Sequence, residues 1–85
     1  MTDPGDIGNL PTVMVIRKLA RRARPLVRFS TWRGNWQPGQ TLRVMAWIEQ
    51  GEDTWAAVLD EDTKRVGWSV LKYAGVAYMR VIGAG

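Results

Sequence analysis

At 85 residues the chain is long enough for one domain and too short for two, and it contains neither Cys nor His. Disulfides and the usual zinc sites are therefore excluded. The formal net charge is +4, and residues 1–36 carry seven basic side chains against two acidic ones. A basic segment of this kind favours a polyanionic partner.

The sequence contains no stretch near the roughly 18 apolar residues that span a membrane. Asp3 and Asp6 lie where a secretory signal needs positive charge. We therefore expect a cytoplasmic protein with no membrane partner. No nucleophile elbow, phosphate-binding Gly loop or separated carboxylate pair is recognisable, so we expect no catalytic residue, no metal site and no cofactor.

Residues 1–25 are predicted to form a flexible lead-in and a basic arm, and residues 12–24 within this arm fit two structures. Apolar residues at the i, i+3, i+4, i+7 spacing favour a short basic helix that Pro25 would end; they are Ile16, Leu19, Ala20 and Ala23. The β-branched residues at the start of the segment favour instead a strand at 12–17 followed by a basic loop. The helix is the preferred interpretation, and the strand remains the alternative.

Residues 26–85 are typical of an all-β domain. Strands are predicted at 27–32, 41–49, 54–59, 65–70 and 76–82, with a short helical turn at 71–75. In the second of these strands Leu42, Val44, Ala46 and Ile48 alternate with Arg43, Met45, Trp47 and Glu49, which is the period of a half-buried strand. Short strands at regular spacing with turn signals predict a small closed barrel of about five strands.

Three motifs between Gln37 and Tyr73 carry a family resemblance. They are Gln37-Pro38-Gly39-Gln40-Thr41-Leu42-Arg43-Val44, then Asp53-Thr54-Trp55-Ala56-Ala57-Val58, and finally Gly67-Trp68 followed by Lys72-Tyr73. They resemble, in that order, the second strand of an SH3 domain, the strand after its n-Src loop, and its Gly-Trp strand with the following turn. The match is to bacterial SH3-type domains in particular and implies an SH3-like barrel. It also implies that Trp55 and Tyr73 line a groove of the kind that binds proline-rich peptides.

The chain departs from the peptide-binding SH3 pattern in three places. The aromatic, acidic motif of the first strand is missing, the acidic loop is replaced by a basic one, and Val70 replaces the groove proline. These departures favour a function that uses the basic arm and the outward tryptophans.

The first functional hypothesis is a non-catalytic module that binds DNA or RNA, for example in a phage or another mobile element. Aromatic side chains interleaved with Arg hold single strands because bases stack on the rings while the cations follow the backbone. The predicted nucleic-acid-binding residues are Arg17, Lys18, Arg21, Arg22, Arg24, Arg28, Trp32, Arg33 and Trp36. In the alternative interpretation the arginines are only solvated and the loop tryptophans pack against the barrel.

The second hypothesis is a protein–protein adaptor or an oligomeric structural subunit. If the alternating set Leu42, Val44, Ala46 and Ile48 faces the core, Trp47 points outward with Arg43, Met45 and Glu49. An outward Trp beside a Met is typical of an interface. The predicted interface residues are Met45, Trp47, Trp55 and Tyr73, and the partner would be another protein or a second copy of the chain. A third hypothesis, an enzyme formed by oligomerisation, has no motif to support it.

Overall fold

The computed structural model describes residues 10–84, which form eight strands and one turn of 3₁₀-helix at Phe29–Thr31. The strands are β1 Pro11–Val15, β2 Leu19–Arg22, β3 Trp32–Trp36, β4 Thr41–Gln50, β5 Asp53–Asp60, β6 Arg65–Tyr73, β7 Val76–Ala77 and β8 Met79–Ala84. The prediction of an all-β fold is confirmed. Within this part of the chain no helix is long and apolar enough to cross a membrane.

The strands pair in one antiparallel sheet in the order β3-β2-β6-β5-β4-β1-β8, and β7 pairs with the end of β6. At its centre β4, β5 and β6 form two consecutive hairpins. Gly51, with a φ of +64°, lies in the turn of the first hairpin. A side chain at that position would favour a different backbone conformation. β1 pairs with both β4 and β8, so the N-terminal segment joins the last strand to the central hairpins.

The core lies where β1, β4 and β5 meet. Its fully buried side chains include Val13, Val15, Leu42, Val44 and Val58. The strand period predicted for β4 holds as far as Val44 and then changes, because the register shifts between Val44 and Ala46. A bulge of this kind leaves an extra residue unpaired and bends the strand. The second half of β4 is therefore exposed, including Ala46 and Ile48, which the alternation placed in the core.

The helix predicted within residues 12–24 is wrong, because this segment contains β1 and β2. Val13 and Val15 are fully buried with a less buried residue between them, which is the period of a strand and not of a helix. Pairing with β4 and β8 satisfies the backbone of β1 on both edges, and this tertiary pairing outweighs local helical spacing. Residues 11–15 and 19–22 of the predicted basic arm thus belong to the sheet. Residues 1–9 lie outside the described residues.

Two further local predictions are corrected. The helical turn predicted at 71–75 is absent, since β6 continues to Tyr73 and a tight turn at Ala74 and Gly75, both with positive φ, leads into β7. The strand predicted at 27–32 also lies later in the chain, because the 3₁₀ turn occupies Phe29–Thr31 and β3 follows it. With β1, β2 and β7 added, the described residues contain eight strands where about five were predicted.

Candidate nucleic-acid interface

Residues 19–36 form the basic hairpin, in which β2 and β3 pair through Leu19 with Trp36 and Arg22 with Trp32. It carries five arginines and no acidic residue, and the sequence contains no Asp or Glu at all between Ile7 and Ile48. The hairpin joins the rest of the sheet through a pairing of Arg22 with Trp68 on β6. The connection between β2 and β3, residues 23–31, lies beyond this pairing. The positive charge is thus carried on a segment at one edge of the sheet.

Trp36 anchors the base of the basic hairpin in the core. Its side chain is 2% exposed, and its Nε1–H donates a hydrogen bond to the Ser69 Oγ at 2.9 Å. The Ser69 hydroxyl in turn donates to the Ala20 carbonyl at 2.8 Å, which ties β6 to β2. A ring buried to this extent has no face open to a base. The prediction that Trp36 contacts nucleic acid is therefore wrong, and its alternative, packing against the core, is correct.

Arg21 fastens the same hairpin to β6. Its guanidinium donates to the carbonyl oxygens of Val66 and Arg33 and lies 5.7 Å from the centroid of the Trp36 ring, within range of a cation–π interaction. Gly67 makes this path possible, because a Cβ at this position would clash with the Arg21 Cγ. Arg21 therefore mainly holds the hairpin against β6 through these contacts, although its side chain also adds to the positive charge of the hairpin.

The connection 23–31 is folded around a buried threonine. The Thr31 hydroxyl donates to the Leu26 carbonyl at 2.6 Å, and the Ala23 N–H donates to the Thr31 carbonyl at 2.8 Å. The Arg22 guanidinium adds a bond to the Arg28 carbonyl at 2.8 Å. The backbone of this connection is consequently held in place although it contains no regular strand.

Phe29 and Trp32 form an exposed aromatic pair at the end of the hairpin. Phe29 is 89% exposed and Trp32 is 43% exposed, and their rings are stacked with centroids 6.4 Å apart and planes at 21°. Trp32 Nε1–H donates to the Asn35 Oδ1 at 3.2 Å, which fixes the ring from one end. The residue-level prediction did not include Phe29, which was assigned to a strand. The sequence feature that points to Phe29 as a contact residue is its position directly after Arg28 in an Arg-rich loop.

No carboxylate among residues 10–84 forms an ion pair with the basic hairpin. Among residues 10–84 one ion pair is present, between Arg43 Nε and a Glu61 carboxylate oxygen at 3.4 Å, and it lies on β4 outside the hairpin. Arg17 Nε donates to the Ala77 carbonyl at 3.1 Å, and Arg33 donates to the carbonyls of Ser30 and Trp32. Such bonds to neutral carbonyls position a guanidinium without neutralising it. Lys18, in the turn between β1 and β2, is also exposed.

The residues predicted for a protein interface fall into two separate places. Trp55, only 3% exposed, and Tyr73 line a cleft of about 190 Å³ together with Val70, and Lys18 and Arg22 are among its other lining residues. Because Trp55 is buried, it offers little surface to a partner.

Trp47 and Met45 lie instead on the exposed half of β4, and Trp47 is 48% exposed. Met45 also lines a hollow with Val66, Trp68 and Arg33, beside the basic hairpin. The outward orientation predicted for Trp47 matches this exposure, but the four residues do not share one surface.

Acidic residues concentrate in the turn between β5 and β6. Gln40 Nε2 donates to the Asp60 carboxylate and lowers its pKa below the ordinary value of 3.8, and the N–H groups of Asp62 and Thr63 act in the same direction. Burial of the carboxylate opposes these bonds. No group of three potential metal-ligating side chains occurs within residues 10–84. The Asp60 carboxylate thus has a structural role, because it accepts hydrogen bonds from backbone N–H groups of the turn that follows it.

This pKa shift predicts a pH dependence of stability. Because the folded-state pKa of Asp60 is lowered, its contribution is present above the unfolded-state pKa and is lost as the pH falls through the folded-state pKa. Asp60→Asn should therefore lower the thermal midpoint near pH 7, and its difference from the wild type should narrow as the pH falls below the ordinary Asp pKa value of 3.8. Circular dichroism melts across this range provide the measurement. Asp62→Asn is the matched control, and a difference for Asp60→Asn that stays constant with pH contradicts the assignment.

Comparison of the chain with known proteins does not assign it to a family. No protein-family model matches the chain, and neither a similar curated protein nor a similar solved structure was found. A partner is therefore proposed from the residues of the basic hairpin alone.

Proposed function

We propose that this chain is a small nucleic-acid-binding module that contacts DNA or RNA through its basic hairpin. The observation that carries the proposal is the exposed Phe29–Trp32 pair, set among arginines that have no carboxylate partner within residues 10–84. A cytoplasmic location, where both kinds of nucleic acid occur, is part of the proposal.

Charge and aromatic surface together favour nucleic acid over other polyanions. Arginines neutralise phosphates and release condensed counterions, which gives affinity without sequence specificity. An exposed aromatic ring stacks on a base with about 1–3 kcal/mol per base, and every base has a face on which to stack. An acidic protein surface offers the charge but has no bases for Phe29 and Trp32. A basic hairpin with an aromatic end therefore matches the chemistry of a nucleic-acid strand.

The proposal is tested by fluorescence anisotropy with a labelled single-stranded 12-mer over a range of salt concentrations. Contact with three phosphates predicts a slope of about −2 in a plot of log K against log salt, since each phosphate in a single strand contributes about −0.7. Polyglutamate of similar charge is the control and should compete poorly, because it lacks bases. Absence of binding to this 12-mer and to its duplex with a complementary strand at about 50 mM salt, where phosphate contacts are strong, would overturn the proposal.

A second candidate function is self-association through β4, and the exposure of Trp47 supports it. Ile48, Met45 and Val66 are also exposed, and an exposed apolar group of this kind is typical of protein interfaces. Analytical ultracentrifugation of the wild type and of Trp47→Glu separates the two functions. A wild-type dimer that dissociates in Trp47→Glu supports self-association. A wild type that remains monomeric at about 100 times the protein concentration of the binding assay argues against it.

We further propose that the fold is SH3-like. The pairing of β1 with both β4 and β8, the consecutive hairpins of β4, β5 and β6, and the shared cleft of Trp55 and Tyr73 support this assignment. In this proposal the basic hairpin takes the place of the acidic loop of peptide-binding SH3 domains, and ligand binding moves from the groove to the hairpin.

A further inference from the structure

Two neighbouring hollows lie on the connection of the basic hairpin. The aromatic hollow, of about 420 Å³, is lined by Arg22, Val27, Arg28, Phe29 and Trp32. The arginine hollow, of about 300 Å³, is lined by Ala23, Arg24, Leu26, Arg28, Ser30, Thr31 and Arg33. Arg28 lines both. A hollow walled by aromatic rings and a hollow lined by arginines therefore adjoin at Arg28.

The arginine hollow is lined by arginines from three parts of the hairpin. Arg24 follows β2, Arg28 precedes the 3₁₀ turn, and Arg33 lies in β3. Within residues 10–84 the side chains of Arg24 and Arg28 have neither a hydrogen-bond acceptor nor a carboxylate partner, whereas Arg33 is positioned by the Ser30 carbonyl at 2.8 Å. Arginine forks match the oxygens of a phosphate, so the chemistry of this hollow is that of a phosphate site.

The backbone that carries these arginines is held in place before a ligand arrives. Buried Thr31 binds the Leu26 carbonyl, and Arg22 binds the Arg28 carbonyl, so the backbone that carries Arg24 and Arg28 is held in place. Preorganisation of this kind lowers the entropic cost of binding. Two spaces that share one arginine and are held at a fixed separation fit a ligand that joins an aromatic ring to a phosphate.

We infer that the basic hairpin holds one nucleotide of an unpaired strand, with the base against Phe29 and Trp32 and the phosphate among Arg24, Arg28 and Arg33. This inference rests on the proposed nucleic-acid binding and narrows it to single strands. Within a duplex both faces of a base are covered by its neighbours, so only an unpaired base can offer a face to Phe29. The exposure of Phe29 is what such stacking requires.

The phosphate half of the inference is tested with inorganic phosphate. In ¹H–¹⁵N NMR titrations of the wild type, we expect saturable shifts of the backbone amides of residues 24–33 and of the Nε–H signals of Arg24 and Arg28. These shifts should disappear in Arg24→Gln/Arg28→Gln and persist in Arg65→Gln/Arg80→Gln. The second pair removes the same charge from exposed positions on β6 and β8. A wild type whose amides do not respond, or equal loss in both variants, overturns the phosphate site.

Binding of the 12-mer separates failure of the inference from failure of the proposed function. Arg24→Gln/Arg28→Gln should weaken binding on the order of tenfold more than Arg65→Gln/Arg80→Gln, which corresponds to loss of charge-assisted hydrogen bonds. It should also reduce the salt slope by about 0.7, the value for one phosphate in a single strand. Equal effects of the two variants on a 12-mer that does bind overturn the inference and leave the proposed function intact. No binding by the wild type to either the single-stranded 12-mer or its duplex overturns the proposed function itself.

The base half is tested with the same 12-mer in two forms, single-stranded and annealed to its complement. Tighter binding of the single strand, on the order of tenfold, is expected from the stacking of one base. Equal or tighter binding of the duplex overturns the assignment to unpaired strands. Thermal melts of every variant, which should match the wild type because the substituted side chains are exposed, establish that the fold is unchanged.

Discussion

Trp36→Ala is expected to lower the free energy of unfolding by about 3–5 kcal/mol, the range for a large aromatic removed from a core. Trp36 is 2% exposed and packs at the base of the basic hairpin, where it also donates to Ser69. A domain of this size has a total stability of about 4–13 kcal/mol, so the loss is a large fraction of the total and the variant should unfold at a much lower denaturant concentration than the wild type. Chemical denaturation, with thermal midpoints as a second measure, tests this expectation.

Two substitutions separate the sources of that loss. Trp36→Phe keeps most of the ring but removes the donor to Ser69, and should cost about 1 kcal/mol for the hydrogen bond plus a smaller packing term. Trp47→Ala removes the same side chain from an exposed position on β4 and should cost less than about 1 kcal/mol. A loss at Trp47 equal to that at Trp36 would show that the two tryptophans have been assigned to the wrong environments.

Phe29→Ala is expected to weaken binding of a single-stranded oligonucleotide by about 5- to 150-fold, which corresponds to the 1–3 kcal/mol of one base–aromatic stack. The same substitution should leave the free energy of unfolding nearly unchanged, because Phe29 is 89% exposed and contributes little to the core. Anisotropy titrations at constant salt measure the binding, and denaturation curves measure the stability. Loss of binding without loss of stability is the combination that identifies a contact residue.

Phe29→Trp and Trp47→Ala are the matched controls for this prediction. Phe29→Trp preserves a stacking surface and should bind at least as well as the wild type. Trp47→Ala removes an exposed aromatic that lies on β4, away from the hairpin, and should have little effect on binding. If Trp47→Ala abolished binding while Phe29→Ala did not, the binding surface would lie on β4 and the basic hairpin would lose its proposed role.

Much of the central sheet could be predicted from local patterns. The strands β4, β5 and β6 follow the apolar alternation and the turn residues around Gly51 and at 61–64, and they lie close to their predicted bounds. Local information suffices there because each hairpin joins strands that are adjacent in the sequence. The prediction failed beyond Val44, where a bulge exposes the rest of β4, since nothing in the alternating pattern marks the position of an unpaired residue.

The candidate site was only partly predictable. The arginines of the hairpin and Trp32 were identified from composition, but Phe29 was missed and Trp36 was wrongly included. Trp32 and Trp36 are four residues apart, so their side chains should lie on the same face of β3, because side chains alternate between the two faces of a strand. They differ in exposure because the Trp36 end of β3 lies over Ser69 of β6, whereas the Trp32 end leads into the connection beyond the sheet.

The sequence by itself determined that the chain is an all-β domain with its excess of positive charge in one segment, because strand period, turn residues and charge are local properties of the chain. Only the tertiary structure decided what that segment becomes. Residues 12–24 form strands because β1 pairs on both edges and β2 is braced by Arg21 across Gly67. That same pairing buries Trp36, exposes Phe29 and brings Arg24, Arg28 and Arg33 around one hollow.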